Sequence, residues 1–167
     1  MDLNNLLKKQ HQLDTIIFAS SGENGYPLEK NKIALLVELG ELAKEWKGFK
    51  YWSKNKVEDR VKLVDEFVDC LYFALSLENY LQQVKPPIVG HINKFMKEID
   101  DDECHKNVLK CFKNAFESAL NRFSHTVILI SIIDLGRCLD ITLDEMEQAY
   151  LAKYLGNKKN IKNEGLE

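Results

Sequence analysis

The feature that most constrains the fold is an apolar repeat of three to four residues that runs through nearly the whole chain. This is the spacing of one face of an α-helix, and Leu3, Leu6, Leu13 and Ile16 illustrate it near the start. The alternating pattern of a half-buried strand never extends beyond a few positions. The repeat predicts helices over residues 2–19, 29–47, 57–83, 88–99, 102–122, 124–139 and from 142 to about 155.

The length of the chain, 167 residues, is that of one domain. Only 8 glycines and 3 prolines are present, which argues against a β-sandwich built on tight turns. We therefore predict an all-α fold with a four-helix-bundle core and additional helices, as a single domain over residues 1–167. Residues 156–167 are mostly polar and are predicted to form a mobile tail.

Charge and apolar content exclude several classes of protein. Lys and Arg number 23 and Asp and Glu 26, a net charge of -3, whereas a general nucleic-acid binder carries a marked positive excess. The longest apolar stretch, residues 127–133, is far shorter than the roughly 18 residues that span a bilayer. The four cysteines form no Cys-x-x-Cys pair, which favours buried free thiols in a reducing compartment. We expect a cytoplasmic protein that binds neither nucleic acid nor membranes.

Two pairs of acidic residues give the strongest chemical signal. Glu38 with Glu41, and Glu66 with Asp69, are each spaced three apart on a long predicted helix, where they border the apolar positions that face the core. Like charges so placed repel each other, and partial burial adds to the cost unless a cation neutralises them. Oxygen ligands suit Mg²⁺. The pattern favours a divalent metal site, and the alternative is a solvated face whose acids pair with lysines of the same helices.

The sequence around these acids resembles the dimeric, all-α dUTPases, a branch of the MazG-like nucleoside triphosphate pyrophosphohydrolases. The two acid pairs, separated by a 24-residue gap, are similar to the metal signature of that superfamily. The most similar segments are residues 10–14, 34–52 and 66–77. The resemblance is strong over residues 7–80, weak over 85–140 and partial in the last helix.

The resemblance implies that the chain hydrolyses dUTP between its α and β phosphates and releases dUMP and pyrophosphate. It implies Mg²⁺ as the cofactor, with two or more ions per site and Mn²⁺ as a substitute. Glu38 is the first candidate for the catalytic base and Glu41 the second. All four acids are expected to bind metal: Glu38, Glu41, Glu66 and Asp69.

Other residues are expected, by the same resemblance, to contact the nucleotide: Gln10, Asp14, Tyr72, Phe73, Lys153 and Asn157. An amide such as that of Gln10 can both donate to and accept from the edge of uracil. Each of these side chains could instead serve only packing or solvation. The family usually has Arg-Gln and then Gly-Tyr near the end, where this chain has residues 160–161 (Asn-Ile) and 165–166 (Gly-Leu). The missing arginine predicts a weaker grip on phosphate.

Two other functions stay open at this level. One is a sister pyrophosphohydrolase that acts on another nucleotide, such as dCTP. The other is a non-catalytic helical dimer that keeps a nucleotide or metal site for regulation, which the altered C-terminal segment favours. A homodimer is expected, because the apolar run at 127–133 exceeds what one small bundle needs to bury and because the similar family is dimeric.

Overall fold

A computed structural model of the chain describes residues 1–84, 107–120 and 125–163. Within these ranges no β-strand occurs, which confirms the predicted all-α class. No helix in the described parts has the length and apolarity needed to cross a membrane. The helix predicted over residues 88–99 lies outside the described residues. The described helices are α1 (Leu3–Ser21), α2 (Leu28–Trp46), α3 (Arg60–Val84), α4 (Val108–Leu120), α5 (His125–Cys138) and α6 (Leu143–Asn163).

Helix α3 is the centre of the fold, because it packs against α1, α2, α5 and α6. Its apolar side chains recur every three or four residues, and Leu63, Phe67, Leu71 and Leu75 are completely buried. Helix α4 adds to this group by packing against α2 and α5. The arrangement confirms a helical-bundle core with additional helices, and it places the acidic residues of α2 beside those of α3.

Side-chain caps fix where two of the helices begin. The Thr142 hydroxyl accepts a hydrogen bond from the backbone N–H of Glu145 at 3.2 Å, at the predicted start of the last helix. The Asp59 carboxylate accepts from the backbone N–H of Val61 at 3.2 Å. Because this cap precedes Arg60, α3 begins three residues after the predicted position 57.

The last helix continues well beyond its predicted end near residue 155. Helix α6 runs to Asn163, so residues 156–163 are helical and the predicted end of the helix is wrong. The reason is a buried stripe: Tyr150, Tyr154 and Ile161 follow each other at helical spacing, and all three side chains are buried. The largely polar composition of this segment concealed a single apolar face.

The predicted free thiols are only partly confirmed. Cys70 is buried and free, but Cys111 of α4 and Cys138 of α5 form a disulfide. Cys104 lies outside the described residues. The bonded pair is separated by 27 residues and comes together because α4 and α5 pack against each other, a tertiary contact that cysteine spacing does not reveal.

Gly136 lies where α5 approaches its neighbours most closely. A Cβ added there would sit 2.5 Å from the Phe67 ring and from the Met146 side chain, both of which are fully buried. We expect Gly136→Ala to lower the free energy of unfolding by about 1–3 kcal/mol, because the core is overpacked. Gly156→Ala is the matched control: it is also helical, a Cβ there meets nothing within 4 Å, and we expect up to about 1 kcal/mol of stabilisation.

Urea denaturation of both glycine variants measures the difference. Equal midpoints for Gly136→Ala and the unaltered protein would contradict the close approach of α5 to α3.

Candidate active site

Helices α2 and α3 pack side by side and bring three of the predicted acids together. Glu38, Glu66 and Asp69 each place one carboxylate oxygen within 4.8 Å of those of the other two, and we call this group the acid cluster. All three residues are half-buried. Glu66 and Asp69 lie on one face of α3, because residues three apart on a helix are neighbours.

The fourth predicted acid, Glu41, lies outside this cluster. Its carboxylate forms an ion pair with Lys44, one turn further along α2, and 43% of the Glu41 side chain is exposed. Its charge still acts on the cluster, since it raises the pKa of both Glu38 and Glu66. Glu41 is therefore close enough to influence bound cations electrostatically, although its carboxylate does not converge with the other three.

Burial and mutual repulsion act together on the acid cluster. Burial raises the pKa of Glu38, and the charges of Asp69 and Glu66 raise it further. Burial also raises the pKa of Glu66, with Asp69 as the next largest cause. Carboxylates held in this way are unfavourable in the ionised form unless a cation lies among them. The convergent oxygen atoms and the excess negative charge fit a hard divalent ion such as Mg²⁺.

Helix α6 supplies a cation to the edge of the acid cluster. The Lys153 ammonium donates to the Asp69 carboxylate and, at 3.1 Å, to Asp65 on the outer side of α3. These contacts raise the pKa of Lys153 against the opposing effect of burial. Lys153, one of the predicted nucleotide contacts, therefore lies where its positive charge can reach an anionic ligand at the cluster.

A cavity of about 220 Å³ adjoins the acid cluster. Asp69 belongs to both, since it lines the cavity wall as well as completing the cluster. Five of the predicted nucleotide contacts line this cavity: Gln10, Asp14, Tyr72, Phe73 and Asn157. The volume lies below the roughly 300–1,000 Å³ of pockets for drug-sized ligands, so the cavity suits a small ligand group. We call it the base cavity.

Sequence reasoning missed several residues of this wall, among them Asn31 of α2 and Ser76 of α3. A signal was available for both. Asn31 precedes Glu38 by seven residues and Ser76 follows Asp69 by seven, so each lies two turns from a predicted acid on the same helical face.

Gln10 is buried at the back of the base cavity, with only 3% of its surface exposed. Its Nε2 donates to Asp14 Oδ1 at 2.7 Å, and its Oε1 accepts from the Tyr150 hydroxyl at 3.0 Å. Burial raises the pKa of Asp14, while contacts with Ser76 and Gln10 lower it. The amide is therefore held at both ends by residues of two different helices.

Tyr72 offers the base cavity a buried polar atom. Its hydroxyl has no hydrogen-bond partner within the described part of the chain, and its ring packs on that of Tyr150 at 4.7 Å between centroids. Burial raises the pKa of this hydroxyl, and the nearby Asn157 side chain lowers it. A buried hydroxyl that lacks a close partner is unfavourable, and it is available to a ligand in the cavity.

One comparison with known proteins bears on this arrangement. A family model described as dUTPase matches residues 2–164, almost the entire chain. The matched range includes every residue of the acid cluster and of the base cavity. No curated protein matches the chain closely enough to count as a relative.

Proposed function

The chain belongs to the dimeric, all-α dUTPase family, and from this membership and the site geometry we propose that it hydrolyses dUTP to dUMP and pyrophosphate with Mg²⁺ as cofactor. The observation that carries the proposal is the double role of Asp69, which joins the acid cluster to the base cavity. A nucleotide whose base enters the cavity has its phosphates directed towards the acids, because the two sites share this wall.

Metal ions explain how an acidic site can bind a triphosphate. Bound Mg²⁺ would neutralise the phosphates, polarise the α-phosphorus and lower the pKa of water, and Mn²⁺ can substitute for it. Glu38, Glu66 and Asp69 would hold the ions, and Glu41 could join them if it left Lys44. Two or more ions match the number of carboxylates that the two helices supply.

Glu38 is the residue that we assign as the general base. As water attacks the α-phosphorus, Glu38 accepts the proton that the water loses, and the bond from that phosphorus to the bridging oxygen breaks, so that pyrophosphate leaves. The family membership of the chain supports this role, because Glu38 opens the first of the two acid pairs. Glu41 is the second candidate, but its pairing with Lys44 favours a supporting role.

Cationic and polar side chains of α6 complete the proposed site. Lys153 would move from Asp69 to the phosphates once metal ions satisfy the acid, and Asn157, which lines the cavity, would contact the sugar or base. Near the end of α6, Asn160 stands where the family has its arginine, and the next residue, Ile161, is buried against the core. We therefore expect a weaker hold on the phosphates than a planar guanidinium would give.

A nucleotide panel tests the proposed function. We expect dUTP to be the preferred substrate over dCTP, dTTP and UTP at millimolar Mg²⁺, with one pyrophosphate released per dUMP and no turnover in excess EDTA. Preference for dCTP would support the sister pyrophosphohydrolase instead. Absence of turnover on every nucleotide, together with retained binding, would support the non-catalytic alternative.

We also propose a homodimer, although on different residues from those that the sequence suggested. Most of the apolar run on α5 is buried within the subunit: Ile128, Leu129, Ile132 and Ile133. Ile33 and Val37, one turn apart on α2, are instead 62% and 55% exposed, and a partner subunit would cover them. Light scattering at micromolar concentration should give twice the mass of the chain, and a monomeric mass would contradict the proposal.

A further inference from the structure

Three buried side chains from two helices form a continuous hydrogen-bonded chain behind the base cavity. The Tyr150 hydroxyl contacts Gln10 Oε1 at 3.0 Å, and Gln10 Nε2 contacts Asp14 Oδ1 at 2.7 Å. Tyr150 is fully buried, and the other two side chains are almost so. Only Gln10 and Asp14 line the cavity, so Tyr150 acts on it through the amide of Gln10.

The chemistry of these groups fixes the direction of every hydrogen bond in this chain. An ionised carboxylate only accepts, so Asp14 requires the NH₂ group of Gln10 on its side. The amide oxygen must then face Tyr150, whose hydroxyl is able to donate to it. Rotating the amide by half a turn would set its oxygen against the Asp14 carboxylate, which is unfavourable in a buried site. It would also leave the Tyr150 hydroxyl with only the Leu6 backbone carbonyl, at a longer 3.4 Å, as an acceptor.

The direction of the amide matters because uracil and cytosine present opposite patterns on the same edge. Uracil offers a carbonyl acceptor and an N–H donor where cytosine offers an amino donor and a ring-nitrogen acceptor. A free amide can satisfy either base by rotating, since it carries a donor at one end and an acceptor at the other. An amide that cannot rotate matches only one of them.

We propose that Tyr150 is a positioning residue that locks the Gln10 amide in one orientation and so sets the preference for uracil over cytosine. The inference rests on the proposed function, because it takes Gln10 to hydrogen-bond the base of the nucleotide. Asp14 fixes the nitrogen end of the amide and Tyr150 the oxygen end. Selectivity arises from the two contacts together, because each makes the rotated amide less favourable.

Conservative variants test this lock without removing the amide. We expect Tyr150→Phe to lower the ratio of kcat/KM for dUTP to kcat/KM for dCTP by about 5–10-fold, which is the value of one hydrogen bond. Most of this change should come from a higher kcat/KM for dCTP. Asp14→Asn should narrow it further, because an asparagine can present either a donor or an acceptor to Gln10. If Tyr150 had a merely structural role, Tyr150→Phe would instead lower kcat/KM for dUTP and for dCTP by the same factor.

The chain offers a matched control one turn along α6. The Tyr154 hydroxyl donates to Gln12 Oε1 at 3.2 Å, the same kind of tyrosine–glutamine contact, but neither residue lines the base cavity. Tyr154→Phe is expected to leave the dUTP to dCTP ratio unchanged. If Tyr154→Phe changed the ratio of kcat/KM for dUTP to that for dCTP as much as Tyr150→Phe does, the inference would be overturned.

Binding measurements separate this inference from the proposed function. Calorimetry with the α,β-imido analogues of dUTP and dCTP needs no turnover. If the unaltered protein prefers the dUTP analogue and Tyr150→Phe reduces that preference, the lock is supported whether or not catalysis occurs. If the preference is unchanged in both Tyr150→Phe and Asp14→Asn, the lock is wrong while the proposed function stands. If the unaltered protein binds neither analogue, the proposed function itself fails.

Discussion

Glu66→Gln is expected to abolish Mg²⁺-dependent turnover, with a loss of more than about 100-fold, and at the same time to stabilise the metal-free protein. Glutamine keeps the shape of the side chain but removes one charged ligand from the acid cluster, and even residues that only orient metal ligands are worth about 10–100-fold. The gain in stability has the opposite origin. Burial, and after it repulsion from Asp69 and Glu41, raises the pKa of Glu66 in the folded chain, so its ionised form weakens folding in the absence of metal.

The sign of the pH dependence follows from the raised pKa of Glu66. An acid whose pKa is higher in the folded than in the unfolded state destabilises the protein above the folded pKa, and the penalty disappears as the pH falls below the unfolded value. The melting temperature of Glu66→Gln in EDTA should therefore exceed that of the unaltered protein at pH 7, and the difference should shrink towards pH 4.

Glu117→Gln is the control for this experiment. It removes one negative charge from an exposed ion pair with Lys113 on α4, so we expect little change in stability or turnover. Full Mg²⁺-dependent turnover in Glu66→Gln would contradict the assignment of the acid cluster as the metal site.

The second large effect is expected at Gln10 and Phe73, whose replacements should differ in kind. Gln10→Ala should reduce the difference in kcat/KM between dUTP and dCTP. The reason is that a site built to hydrogen-bond one base leaves buried groups unpaired when the other base enters. Such mismatches give up to about 10⁴-fold discrimination in well-built sites. Phe73→Ala should weaken the binding of both nucleotides to the same extent, since stacking on an aromatic ring is worth about 1–3 kcal/mol whatever the base.

The measurement is kcat/KM for dUTP and dCTP on both variants. Equal losses on the two substrates for Gln10→Ala would remove Gln10 from the recognition set and return α1 to a packing role. A loss confined to one nucleotide in Phe73→Ala would show that this ring selects the base instead of stacking on it.

The parts of the fold that depend on local periodicity could be predicted from the sequence. The apolar repeat located α1, α2 and α3, because each buries one stripe against the same core. It failed for α6, since Tyr154 and Ile161 are separated by polar residues that hide their common face. The bond between Cys111 and Cys138 depends on how α4 and α5 pack, which no local pattern records.

The acid cluster, too, could be predicted from the sequence only in part. Spacing of three residues placed Glu66 and Asp69 on one face, and resemblance to a family paired them with Glu38. Spacing alone puts Glu41 on an equal footing with these three acids, but in the folded chain its carboxylate pairs with Lys44, one turn away. The contact from Tyr150 to Gln10 joins residues 140 positions apart, so only the folded chain reveals it.

Hydrolysis of dUTP in ¹⁸O-enriched water tests the central claim most directly, because it shows which phosphorus the water attacks. If Glu38 accepts the proton of water that attacks the α-phosphorus, mass spectrometry should find one ¹⁸O atom in dUMP and none in the released pyrophosphate. Label in the pyrophosphate, or release of dUDP and inorganic phosphate, would contradict the reaction that we propose for this site.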